Sequence, residues 1–182
     1  MSKGLIVVLG VLVVLGGGCL MTVMGINNQC IAQENGIDAQ YDSNKVALAG
    51  YTNRIMDMVQ VPNLAKDHIK EIATAAIQGR YGTEGARAVF HAVKEQNPTV
   101  DSGLYRTLMQ SMEAGRNGFD ADQRALLDKC RVYRTYYQSF PNSIVAGFMG
   151  FPKVDQTKCK PVTTEQTETD FRTKTTGPLQ LR

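Results

Sequence analysis

Apolar residues run almost unbroken from Gly4 to Ile26, recur at helical intervals through the middle of the chain, and thin out after Phe151. The first stretch, GLIVVLGVLVVLGGGCLMTVMGI, carries no charge. At about 1.5 Å per residue a helix of this length reaches across a hydrocarbon core roughly 30 Å thick. Beyond it, Cys30, Ile37, Tyr51 and Met58 recur at multiples of seven, and Tyr41, Leu48 and Ile55 form a companion row. This stripe predicts a helix over about 27–60 that can continue directly from the apolar run, with Glu34 and Asn44 as polar interruptions of its seam.

Pro62 breaks the pattern and suits the first turn of a second helix, whose inner face would be Leu64, Ile69, Ile72, Ala73 and Ala76. A glycine-rich turn, GRYGTEG at 79–85, separates it from a short helix with Ala86, Val89, Phe90 and Val93 inward. The turn follows a helix rather than a strand and has no GK[ST] lysine, so it reads as an interhelical connection and not as a phosphate cradle. From about Ser102, Leu104, Leu108, Met112, Gly115, Phe119, Leu126, Cys130, Tyr133 and Tyr137 keep helical spacing almost to Pro141. Gly115 and Gly118 would either loosen this helix or permit a close helix crossing there. Asn142 or Ser143 can then cap a short helix in SFPNSIVAGFMGF, residues 139–151, which holds no charge. Residues 152–182 are threonine-rich and show no apolar period, which predicts an extended or partly disordered tail. The fold expected is all-α: a transmembrane helix over 4–26, an elongated antiparallel helical bundle over 27–151 and the tail.

Two other fates are open to the first stretch. Lys3, Leu5–Leu15 and Gly16–Gly18 have the layout of a cleaved signal peptide, and Gly18-Cys19 resembles a lipoprotein processing site. Leu20, Met21, Val23 and Met24 extend the run beyond a signal core, and Gly16 stands where lipoprotein sites usually have leucine, so a retained anchor is the reading adopted. Lys3 precedes the segment, and Glu34, Asp38 and Asp42 are the first charges after it. The positive-inside tendency therefore puts the amino terminus in the cytoplasm and the body outside it.

A net charge of +3 provides no large basic field, so no nucleic-acid partner is expected. Arg131 and Arg134 lie among tyrosines that keep core spacing, which reads as a packed face with solvated arginines. The four cysteines, Cys19, Cys30, Cys130 and Cys159, form no CxxC, and neither His68 nor His91 sits in HExxH, so no metal or cofactor is expected. In an oxidising compartment one pair among Cys30, Cys130 and Cys159 can bridge, leaving an odd one; free or buried thiols are the default expectation.

Several short motifs together resemble the LemA family of membrane-anchored bacterial proteins. Gly25-Ile26-Asn27-Asn28 matches the family's Gly-x-x-Asn junction, and Val61-Pro62-Asn63-Leu64 stands for its Ile-Pro-Asn-Leu segment. Phe140-Pro141, Ala146-Gly147 and Gly150-Phe151 match its closing Phe-Pro-x-x-x-x-Ala-Gly-x-x-Gly-Phe, after a helix bearing arginine and tyrosine. The chain departs from the pattern where MDMVQ replaces the usual paired arginines and aspartate, and in having no tryptophan. The resemblance implies an antiparallel helical bundle at the bacterial inner membrane and supplies no catalytic residues.

The function expected is a membrane-anchored scaffold or interaction protein without catalysis, at the envelope of a bacterial or phage-infected cell. Its partners would be the lipid bilayer, other copies of itself and a protein not identified by sequence; the polar Asn44 among apolar neighbours motivates self-association. An accessory role to a membrane peptidase or envelope-stress complex is the alternative, and a hydrolase using His68 or His91 a weaker one. If the first long helix climbs from the membrane and the second descends, Phe140, Pro141, Ile144, Val145, Gly147, Phe148, Met149 and Phe151 return to the headgroup level. Burial of this segment in the bundle is the competing expectation.

Overall fold

A computed structural model describes residues 3–59, 63–79, 84–96, 98, 102–163 and 165–174. The chain is all-α. Its helices are α1 (Lys3–Met58), α2 (Asn63–Ile77), α3 (Gly85–Gln96), α4 (Ser102–Gln138), α5 (Asn142–Met149) and α6 (Glu165–Thr173), with a 3₁₀ turn at Gln156–Cys159. The apolar run and the first amphipathic stripe are thus one unbroken helix. One window of α1, with mean hydropathy 2.6 and no part of it buried, is long and apolar enough to cross a membrane by length and composition. Thr22, the one hydroxyl residue within 4–26, donates its Oγ1 hydrogen back to the carbonyl of Gly18 at 2.9 Å, which satisfies the polar group within the helix.

The chain forms two compact units, Met1–Tyr41 with Leu126–Cys159, and Asp42–Ala125 with Lys160–Arg182. In the first, Ile26, Cys30 and Ile37 of α1 meet Leu126, Cys130 and Tyr133 of α4, Ala146 of α5, and Phe151 and Val154 beyond it. Those positions on α1 and α4 fall at intervals of three, four or seven, so each helix turns one face inward.

In the second unit, Ile55, Ile69, Ile77, Val89, Val93 and Leu108 are almost wholly buried and form a core contributed by all of α1 to α4. Full burial of a side chain of this size contributes about 1.5–3 kcal/mol. The ion pairs Lys45–Asp42 and Arg87–Glu84 in this unit are exposed and local, worth at most about 1 kcal/mol each, which is small beside the burial of this core.

Within this second unit α1 and α4 run antiparallel. Asn44 lies beside Asp122, Tyr51 beside Gly118 and Met58 beside Ser111. The expected close crossing occurs at Gly118, where a Cβ would stand 2.6 Å from the Cζ of Tyr51. Tyr51 uses the space to donate to Asp122 Oδ2 at 3.3 Å. Asn44 is buried and donates to the backbone oxygen of Asp122 at 2.8 Å. A group satisfied inside its own chain no longer argues for self-association, so that motive for Asn44 falls away. Thr52, also buried, bonds Leu48 O and the hydroxyl of Thr74.

Two local expectations are corrected. Neither Asn142 nor Ser143 caps α5; Pro141 occupies the N-cap position without a side-chain cap, and Asn142 Nδ2 instead donates to Tyr136 O at 3.1 Å. Cys130 and Cys159 are joined as a disulfide, where free thiols were the default expectation. After α5 the chain runs irregularly until the 3₁₀ turn, and α6 is a helix that the threonine-rich composition did not suggest. The phosphate-turn question at 79–85 falls largely on residues 80–83, outside those described.

Candidate functional site

Glu34 lies on the inward face of α1, four residues after Cys30 and three before Ile37. A carboxylate buried there needs partners, because removing its charge from water without them costs several kcal/mol. The chain supplies three donors to a single oxygen. Glu34 Oε1 accepts the hydroxyl of Tyr133 at 2.7 Å, the backbone N–H of Lys153 at 2.5 Å and that of Val154 at 2.9 Å. One acidic residue thereby ties α1 to α4 and to the segment that leaves α5.

A turn further along α1, Asp38 Oδ1 takes the ammonium of Lys158 at 2.8 Å, and the same ammonium stands 5.6 Å over the ring of Tyr41. The Cys130–Cys159 disulfide fastens the end of this segment to α4. On the other side of α5, Asn142 holds the turn from α4 through Tyr136 O and Ser139 Oγ. Gly150 closes α5 in the left-handed conformation at φ 74°, with its N–H on the carbonyls of Ala146 and Gly147, and so turns the chain back toward Glu34. Both ends of α5 are thus secured.

The electrostatics follow from burial. The Tyr133 hydroxyl is pushed far above the ordinary tyrosine range, first by desolvation and then by its bond to Glu34 and the charge there. Burial, assisted by Glu34, also raises the Cys30 thiol, and burial raises Tyr136. All three groups stay neutral at physiological pH, and a protonated thiol is a poor nucleophile. The node fits a structural fastening better than acid–base chemistry.

What the fastening displays is an apolar face. Phe140, Ile144 and Phe148 follow one another at intervals of four and are 83%, 66% and 88% exposed. Ala146 and Phe151 are buried, and Val145 and Met149 pack against the same core. Burial, one of the two sequence expectations for this segment, thus holds for one side of α5 only, and the other side is bare. Pro141 and Gly147 are exposed, the glycine with open space around it.

Other sequence candidates lie apart. Gly25 and Asn28 are exposed on α1; Pro62 and the side chains of Asn63 and Leu64 fall outside those described. His68 on α2 and His91 on α3 are both exposed. Among the described residues no three or more His, Cys, Asp or Glu are grouped to hold a metal ion. Tyr133 is buried and Arg131 pairs with Asp128 on the surface, as the packed-face reading expects. Glu34 was visible in the sequence only as a break in an apolar row; an acid at a core position is itself the signal of a buried partner.

No protein-family model, curated protein or solved structure matches the chain.

Proposed function

We propose that this chain is a membrane-anchored helical scaffold of the LemA type, in a bacterial or phage-infected cell envelope, which presents its helices to other copies or to a protein partner without catalysing a reaction. The observation that carries this reading is the continuity of α1. A fully exposed apolar segment enters a packed body without a flexible linker, and a signal sequence destined for removal has no need of that rigid connection.

The disulfide supports an orientation with the body outside the cytoplasm, since such bonds persist in oxidising compartments. It agrees with Lys3 before the segment and acids after it, and both favour an inner-membrane anchor with the amino terminus inside. The phenol and thiol of the Glu34 node are held protonated, which favours a binding role over a catalytic one.

Alkaline carbonate extraction of membranes tests the anchor: the intact chain should remain in the pellet, and release into the supernatant would refute it. Mass measurement of the detergent-purified protein tests the scaffold. Oligomers or a co-purifying partner are expected, and a strict monomer without partners would count against that role.

A further inference from the structure

The apolar run of α1 ends at Ile26, yet Ile26 is already 6% exposed. It belongs to the same buried cluster as Cys30, Tyr133, Ala146 and Phe151. The body therefore begins within the last turn of the apolar segment, and α5 contributes Ala146 to the core that Ile26 joins. An element that shares this core lies near the level where a membrane-spanning α1 would leave the hydrocarbon.

There α5 turns Ile144 and Phe148 outward, and Phe140 is exposed in the turn before it. The segment 139–151 has no charged side chain that would oppose entry into the headgroup region. Burial of Ala146 and Phe151, together with the hold of Glu34 on Lys153 and Val154, prevents α5 from turning that face inward. Exposed apolar rows of this kind, rimmed by polar residues, are unfavourable in water and mark interaction sites.

We infer that α5 and the turn before it form a second membrane contact, whose Phe140, Ile144 and Phe148 lie in the headgroup–acyl boundary of the leaflet from which α1 emerges. Its occupant is lipid and not protein, because the face carries no charge and belongs to a segment that shares a core with Ile26, the last residue of the apolar run. A helix in this position typically sinks about 5–10 Å into the boundary. It would fix the tilt and rotation of the body on the membrane, which a single spanning helix leaves free. The inference rests on the anchor reading above.

The chain has no tryptophan, so Phe148→Trp creates a single tryptophan, excited selectively over the seven tyrosines at about 295 nm, at an exposed site that folding does not need. The full-length variant is reconstituted in phosphatidylcholine vesicles with lipids brominated near the top of the acyl chain. Val46→Trp, at an exposed position well beyond Ile26, is the reference. Blue-shifted emission from the Phe148→Trp variant, with bromolipid quenching roughly threefold or more stronger than in the reference, is expected of a residue at that depth. Emission and quenching equal to those of the reference would overturn the inference. A blue shift without lipid quenching would also overturn it and assign the face to a second copy. Flotation of the same vesicles separates the two readings: co-flotation of an unquenched Phe148→Trp variant leaves the anchor standing, and failure to float removes both.

Discussion

The hydroxyl of Tyr133 donates to Glu34 at 2.7 Å, joining residues 99 positions apart in the sequence. The same carboxylate oxygen receives two backbone N–H groups from the segment after α5, so a single side chain holds three parts of the first unit in register.

Glu34→Ala should therefore be the most disruptive polar substitution in this unit. It strands a buried hydroxyl and two N–H groups, at about 1–3 kcal/mol for each group left unsatisfied. A loss of about 3 kcal/mol or more is expected, against about 1 kcal/mol for Tyr133→Phe, which removes one donor and leaves the acceptor occupied. Thermal unfolding of the two variants in one detergent checks the order; equal melting temperatures would mean the node does not hold the segment.

Alkaline stability follows from the same pair. The folded pKa of Tyr133 lies above its ordinary value of 10.0, so the stability tied to its neutral form is fully present below pH 10.0 and is lost as pH rises through the folded pKa. Cys30, raised from 9.0, acts in the same direction from its own ordinary value upward. In an absorbance titration of phenolate formation, Tyr133 should be among the last of the seven tyrosines to ionise, together with unfolding. Tyr133→Phe should remove that late step.

The disulfide should stabilise the first unit through its unfolded state. Its partners are 29 residues apart, for which loop-closure entropy predicts roughly 3.5 kcal/mol. Cys159→Ala should lower the melting temperature accordingly and expose Lys153–Lys158 to proteolysis. Cys30, buried and protonated, should resist alkylation until the chain is denatured. Rapid labelling of Cys30 in the native protein would contradict its place in the core.

Gly118→Ala should destabilise the second unit by about 1–3 kcal/mol, the usual range for overpacking. The added carbon collides with the Tyr51 ring, which also bonds Asp122. Combining it with Tyr51→Ala should restore part of the loss, because the collision disappears with the ring. Additive effects in a double-mutant cycle would show that the crossing does not depend on this contact.

Within the sequence itself, the helices from α1 to α5 were legible, whereas α6 was not. The stripe Cys30–Ile37–Tyr51–Met58, the row from Leu104 to Tyr137 and the apolar run from Gly4 all depend on 3.6 residues per turn, a local property of the backbone. Gly115 and Gly118 likewise marked a place for a looser helix or a close crossing, because a missing side chain is visible in one dimension, and the Tyr51 ring at Gly118 decided for the crossing. The composition of SFPNSIVAGFMGF marked a short apolar helix, though not which of its sides would be bare.

Tertiary structure alone decided the pairings. Three cysteines beyond the apolar run permit three disulfides, and only the packing of the 3₁₀ turn on α4 selects Cys130 with Cys159. Glu34 and Asn44 read as defects in an apolar seam until Tyr133, Val154 and Asp122 arrive from distant parts of the chain to satisfy them. The split of α5 into a buried and an open side depends on the same meeting of faces. Periodicity states which side of a helix is apolar, whereas the partner that covers it is set by where other helices pack, over separations that no local pattern encodes.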